Sequence, residues 1–177
     1  MVTSTDRDAT RRQEIIAAAI ACFLQFGYSK TSLDDIAKRA NLSRPLLYRK
    51  FKNKEAIFGA VYDQVFESRF AVVEQVLATR ASKHDKLLRV YEAVAIDTWA
   101  LIVNAPMVAE FYDACLRVIP EIHAKHEKKL LDVTKDLLGP RDVAEVFMLA
   151  VDGLFKDLPT IAVVRKRLHI LVERFAK

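Results

Sequence analysis

Helix breakers are scarce in this chain and widely spaced. Its 177 residues include only four Gly and five Pro, at Gly27, Pro45, Gly59, Pro106, Pro120, Gly139-Pro140, Gly153 and Pro159. A sandwich or barrel turns roughly every 8–12 residues and draws on these residue types to do so. Between the breaks apolar residues recur at three- and four-residue spacing, and no stretch shows the strict alternation of a half-buried strand. The expectation is an all-α protein. Hydrophobic residues at 52% supply a core, while charged residues at 29% argue against both a membrane-embedded and a disordered chain.

No export signal is expected. The longest uncharged run, Ile15–Ser29, is 15 residues, short of the roughly 18–20 that span a bilayer. It follows Arg11 and Arg12 as a signal peptide would, but Glu14 intervenes and no small-x-small cleavage site follows. Ile15, Ala19, Cys22 and Phe26 recur instead on one helical face. The run reads as the first helix of a cytoplasmic protein, and the Asn41-Leu42-Ser43 sequon is then accidental. Cys22 and Cys115 make neither a disulfide framework nor a zinc site.

Caps and breaks divide the chain into helices. The first is expected over about Ala9–Phe26, after a polar start, Met1–Asp8, that frays, and it ends at Gly27 in a left-handed cap. Thr31 is expected to cap a second helix, Ser32–Ala40, with Asp34 completing an acidic capping box. After the turn Asn41-Leu42-Ser43, Ser43 caps a very short third helix. Pro45 is tolerated there because first-turn amides lack intrahelical partners. Asn53 caps a long fourth helix, about Lys54–Ala81, with apolar stripes Ile57-Val61-Val65-Val72-Val76 and Phe58-Tyr62-Phe66-Phe70-Val73-Leu77. Further helices are expected near Lys83–Val103, Met107–Val118, Pro120–Leu138, Arg141–Lys156 and Thr160–Ala176.

Positive charge is concentrated at the front. Residues 1–54 hold eleven Lys and Arg against five Asp and Glu, a net of +6, and residues 55–177 hold seventeen against eighteen, a net of −1. A basic module joined to a near-neutral one suits a front that meets a polyanion. Within that front, Thr31–Phe51 reads as helix, three-residue turn and short basic helix. Ile36, Ala37 and Ala40 face inward from the second helix and Leu47 and Phe51 from the third, which leaves Arg44, Pro45, Tyr48 and Arg49 outside. A short helix so decorated fits the DNA major groove, and the amino ends of the second and fourth helices suit phosphate. The spacing alone leaves a protein-docking hairpin open.

The order of residues is more specific. Phe23, Gly27-Tyr28, Thr31-Ser32, Asp35-Ile36-Ala37, Ala40, Leu42-Ser43, Leu47-Tyr48, Phe51 and Lys54-Glu55 follow one another without gaps, and the stretch Glu14–Val65 resembles the DNA-binding domain of the TetR family of transcriptional regulators. The resemblance implies a helix-turn-helix DNA-binding domain over residues 1–53 and a helical ligand-binding and dimerisation domain over 54–177. By position it implies Thr31 and Ser32 hydroxyls on DNA phosphates, Tyr48 and Lys50 clamping the backbone, and Lys54 holding another phosphate. Arg44, Pro45 and Arg49 would face bases. Leu46 stands where the family often has Ser or Thr, and would exchange a polar contact for a thymine methyl. Lys50 stands where histidine is common and would strengthen a phosphate contact. Helix packing for Tyr48 and a solvated face for Lys50 and Lys54 are the plainer readings of those residues.

The resemblance also implies a small molecule among the later helices. Candidates for its pocket are Tyr91, Asp97, Trp99, Phe111, Cys115, Met148, Asp152 and Phe155, although an aromatic stripe at helical spacing is more often ordinary core. Asp97 falls on an apolar stripe with Val90, Val94 and Leu101, and so calls for a basic partner or a helix cap before an effector. The last two helices would pair with their twofold mates through Val143, Phe147, Ala150, Gly153 and Leu154, then Leu168, Leu171 and Phe175, with Gly153 allowing close approach. His123 and His126 with Glu121 and Glu127 have a spacing that permits a metal, but the interleaved Lys125, Lys128 and Lys129 favour an exposed polar face. No metal and no cofactor is expected. Cys115 reads as a small core residue rather than a redox sensor.

The function expected is that of a homodimeric, sequence-specific DNA-binding regulator, a repressor released by a small-molecule effector. Its partners would be a double-stranded operator and a second copy of itself. A helical module docking an acidic protein is the alternative. A helical enzyme has no motif in its favour, since G-x-S-x-G, H-E-x-x-H, a phosphate-cradling glycine loop and a dinucleotide fingerprint are all missing.

Overall fold

The computed structural model describes the backbone of residues 4–176 and the side chains of residues 8–176. Of the polar start expected to fray, Met1–Thr3 lie outside the described residues, and helix begins at Ser4. Among the described residues ten α-helices and no strand occur: α1 Ser4–Lys30, α2 Leu33–Arg39, α3 Arg44–Lys50, α4 Lys54–Leu77, α5 Lys83–Tyr91, α6 Asp97–Ile102, α7 Val108–Val118, α8 Pro120–Leu138, α9 Arg141–Gly153 and α10 Ile161–Phe175. A π-helical stretch, Glu92–Ile96, joins α5 to α6. The all-α expectation holds, with α4 and α9 each ending a few residues early. Among the described residues no helix is long and apolar enough to cross a membrane.

Packing divides the chain into two compact units. One comprises residues up to Gln64 together with Ala105–His123, and the other Val65–Asn104 together with the residues from Ala124 on. This is a division by packing, distinct from the functional boundary expected between residues 53 and 54.

The first unit is built on α1. Ile15, Ala19, Cys22 and Phe23 are buried on one side of it, with Ile36 and Ala37 from α2, Leu47 from α3, Ile57, Phe58 and Val61 from α4, and Phe111 and Ala114 from α7. Phe58 is the hub of an aromatic cluster, its ring centroid 5.1 Å from Phe23, 5.0 Å from Tyr28 and 5.4 Å from Phe111, all in edge-on geometry. Gly59 lets α4 approach the start of α8, since a methyl group there would come within 2.5 Å of Ile122. Asn53 caps α4 as expected, its side-chain oxygen accepting from the Ala56 amide at 2.9 Å.

In the second unit the Phe147 ring meets those of Tyr91 and Phe175 edge to face, and Trp99 packs on Phe155 at 5.4 Å. Two of the polar side chains buried with them are paired. The Tyr91 and Thr134 hydroxyls lie 2.6 Å apart, and the Trp99 indole donates to the Pro159 carbonyl at 2.8 Å. The π-helical stretch corrects the expectation of one regular helix over Lys83–Val103. Its extra residue per turn rotates everything downstream, so the stripe Val90-Val94-Asp97-Leu101 breaks after Val94. Trp99 and Ile102 turn inward, Leu101 is 48% exposed, and Asp97 reaches solvent and needs no buried partner. Its backbone carbonyl accepts from the Arg69 guanidinium at 3.2 Å.

Candidate nucleic-acid interface

The helix-turn-helix is assembled largely by its own backbone. Ser32, not Thr31, is the N-cap of α2: its hydroxyl oxygen accepts from the Asp35 amide at 3.2 Å, and the Asp35 carboxylate accepts from the Ser32 amide at 2.9 Å. The Ser32 hydroxyl donates back to that carboxylate at 2.6 Å. Those bonds, the hydroxyl's first and the amide's second, hold the Asp35 carboxyl below its usual range. Thr31 instead finishes α1, its hydroxyl donating to the Gly27 carbonyl at 2.7 Å and its surface only 2% exposed. The amides of Ala40 and Leu42 close onto the carbonyls of Ile36 and Ala37, with Asn41 at φ 52° turning the chain into α3.

α3 has one buried face and one open face. Leu47 is fully buried and Phe51 nearly so, while Tyr48 is 53% exposed and Arg44, Pro45 and Arg49 are exposed with it. Leu46 and Lys50 are half-buried at the edges. Two of the basic groups of α3 have carboxylate partners within the chain: Arg44 pairs with Asp34 and Lys50 with Asp8. The Arg12 guanidinium lies over the Phe51 ring at 4.6 Å. Of the nine residues expected to contact DNA, Arg44, Pro45, Leu46, Tyr48, Arg49 and Lys50 stand on or beside this open face, and Ser32 is exposed at the start of α2. Thr31 faces inward, and the Lys54 ammonium is engaged elsewhere, donating to the carbonyls of Tyr28 at 2.8 Å, Thr31 at 2.9 Å and Ser29 at 3.4 Å.

Lys54 marks a bend that sequence reasoning missed. Gly27 does not adopt the left-handed cap expected of it but sits at φ 82°, ψ 162°, extended with positive φ, and helix resumes beyond it to Lys30. The freed amides of Tyr28 and Ser29 donate to the Glu110 carboxylate at 2.6 and 3.0 Å, and the Ser29 hydroxyl adds a third bond at 2.9 Å. Partial burial alone would raise the Glu110 carboxyl, but the bonds from Ser29 and Tyr28 outweigh it and hold it below its ordinary value. No local pattern announces Glu110, which lies on α7, 82 residues from Tyr28.

The expected pocket residues fall in both units. Phe111 and Cys115 belong to the first unit, where the Cys115 thiol donates to the Phe111 carbonyl at 3.3 Å and burial pushes it up to about 12. In the second unit Tyr91 is buried with its hydroxyl engaged, Trp99 and Phe155 pack on one another, Met148 is half-buried, and Asp97 and Asp152 are on the surface. A cleft of about 420 Å³ in that unit is lined by Ser82, Lys83, His84, Leu137, Leu138, Phe175 and Ala176, and holds none of those eight residues. Of the expected dimer residues, Phe147 and Leu168 are buried in their own chain, because the inward stripes of α9 and α10 are these residues with Ala144, Val151, Val164 and Val172. Val143, Ala150, Leu154, Leu171 and Phe175 are half-buried, and Gly153 faces open space. His126 is buried beside the Phe66 and Phe70 rings rather than on an exposed polar face. Among the described residues no group of three or more His, Cys, Asp or Glu could hold a metal ion.

The fold and its short outward-facing third helix define a helix-turn-helix regulator. Residues 15–61 match the model of the bacterial regulatory proteins, tetR family. Over 175 residues the chain is 36% identical to the "Probable acrEF/envCD operon repressor" of Escherichia coli (strain K12), covering 89% of this chain and 79% of that one. It is 32% identical over 83 residues to the "HTH-type transcriptional activator FasR" of Mycolicibacterium smegmatis, covering 47% of this chain and 38% of that one. A crystal structure of a TetR-family transcriptional regulator from Agrobacterium tumefaciens shares the fold, with a TM-score of 0.71, 17% identity and coverage of 96% and 100%. The chain belongs to the tetR family of bacterial regulatory proteins and is a DNA-binding transcriptional regulator.

Proposed function

We propose that this regulator is a homodimeric repressor that reads a near-palindromic operator with α3 and leaves it when a small molecule binds the helical domain. The observation behind this reading is the two-faced α3, with Leu47 fully buried and Tyr48, Arg44 and Arg49 open beside it. Arg44, Pro45, Leu46 and Arg49 would face base edges, where an arginine can pair with guanine O6 and N7. Ser32, Tyr48 and Lys50 would fix phosphates. On binding, Arg44 and Lys50 would exchange Asp34 and Asp8 for the nucleic acid. Thr31 and Lys54 would serve by shaping the approach, since their polar groups are used inside the unit. Reading is assigned to residues 1–53, and effector binding and dimerisation to residues 54–177.

Dimerisation is assigned to the outward faces of α9 and α10. Val146, Leu149, Ala150 and Gly153 recur at helical spacing on α9, with Val146 55% and Leu149 71% exposed, and α10 adds Val163 and Ile170 at 42% and 50%. A twofold dimer would place two α3 helices about 34–36 Å apart, one helical turn of DNA. An effector that prefers another dimer geometry would release the operator. Repression follows the operon repressor that the chain resembles over most of its length.

Selection from a random duplex library followed by gel-shift titration tests this. The selected duplexes should carry half-sites one helical turn apart. Tyr48→Ala should weaken binding to every sequence, whereas Arg49→Ala should relax preference at one or two positions. Unchanged affinity and preference in both variants would remove α3 as the reading element.

A further inference from the structure

The bend at Gly27, near the end of α1, is held from both sides by opposite charges. Its N–H groups, at Tyr28 and Ser29, point at the Glu110 carboxylate, and its carbonyls, at Tyr28, Ser29 and Thr31, receive the Lys54 ammonium. The Lys54 ammonium also lies 4.4 Å from the centroid of the Tyr28 ring. Gly27 is matched to this arrangement twice over. Its φ of 82° suits glycine, and a Cβ there would stand 2.7 Å from a Glu110 carboxylate oxygen and 3.1 Å from the Met107 side chain. Bonds of an ionised carboxylate to amides and a hydroxyl are short and directional, and the part-buried Tyr28 N–H needs an acceptor.

We propose that Glu110 and Lys54 form a clamp that sets the direction in which α2 and α3 leave α1, which makes Glu110, on α7, a positioning residue for DNA reading. The inference rests on α3 being the reading helix. Base readout demands a rigidly held geometry, within about 0.5 Å, whereas sequence-independent binding is a screened attraction to phosphates that tolerates small displacements. A loosened clamp therefore costs specific binding and spares nonspecific binding. A merely structural residue would lower both together.

The test uses the full-length protein with Glu110→Ala and Glu110→Gln, the selected operator duplex and a scrambled duplex of equal length. Amide exchange at Tyr28 and Ser29, followed by NMR without DNA, reads the clamp directly. In Glu110→Ala, exchange at both amides should accelerate and operator affinity fall about tenfold, with scrambled-duplex affinity unchanged within about twofold. Glu110→Gln, which keeps the shape and one acceptor oxygen, should fall between it and the parent. Should Glu110→Ala not fold, Glu110→Gln carries the same comparison. Faster exchange with undiminished operator affinity, unaltered exchange, or an equal fall on both duplexes overturns the clamp. A Tyr48→Ala control separates the two readings: if it binds operator like the parent, α3 is not the reading head, whereas a weakened Tyr48→Ala beside an unaffected Glu110→Ala removes only the clamp.

Discussion

The turn between α2 and α3 and the bend near the end of α1 lie about a dozen residues apart and are held in opposite ways. The turn is closed by its own backbone: Ala40 and Leu42 donate four and five residues back, and the α2 cap reaches only from Ser32 to Asp35. The bend has its freed amides taken by Glu110, 81 and 82 residues downstream, and its carbonyls by Lys54. The hairpin is thus a self-contained object, while its mounting is a tertiary one. That difference explains how a short stretch can identify the motif and yet say little about what orients it.

The largest blow to the mounting should come from its apolar backing. Phe58 touches Phe23, Tyr28 and Phe111, so Phe58→Ala removes the ring that links α1, the bend and α7. We expect a loss of about 3–5 kcal/mol in urea unfolding followed by circular dichroism. A loss under 1 kcal/mol would mean that the bend does not depend on this cluster.

A smaller effect, without consequence for reading, is expected in the second unit. Thr134→Val leaves the Tyr91 hydroxyl buried without its 2.6 Å partner, at a cost of about 1–3 kcal/mol. Operator preference, measured by competition gel shift, should not change. A shifted base preference would show that this core takes part in reading, and would erase the contrast between a unit that reads and a unit that supports.

What was legible in the sequence follows the same line between local and distant. A cap was readable where a side chain serves an amide three residues on, as at Asn53. Two-faced α3 was readable because successive helical positions point about 100° apart, which turns Tyr48 and Arg49 away from the inward Leu47. Thr31 was mistaken for the α2 cap because Thr31-Ser32 offers two hydroxyls to two adjacent acids, and only the carbonyl at Gly27 decides which hydroxyl turns back. The π-helical stretch was invisible because Glu-Ala-Val-Ala-Ile is unremarkable helix sequence, and so Asp97 was assigned to a stripe it does not join. Phe147 and Leu168 are as apolar as Val146 and Leu149, and periodicity cannot say which apolar face meets its own chain first. Glu110 had no signal beyond being an acid near the start of a helix.

The smallest effect tests whether the local side of the comparison is as self-contained as it looks. Ser32→Ala removes the α2 cap, and N-cap losses of this kind amount to about 1 kcal/mol. The reciprocal half of the box makes that loss depend on pH. Because the folded Asp35 carboxyl lies below its unfolded value of 3.8, with the Ser32 hydroxyl bond as the leading cause, its contribution is present above that value and disappears as pH falls through the lower folded one. The stability gap between the parent and Ser32→Ala should therefore be constant from pH 7 to about 5 and narrow below pH 4. It should not close entirely, because the Asp35 amide still donates to the Ser32 hydroxyl when the carboxyl is protonated. Urea titrations at a series of pH values measure the gap. A gap that stays constant down to pH 2.5 would leave the amide bond as the whole of the cap, and the carboxylate as a bystander in a hairpin that closes without it.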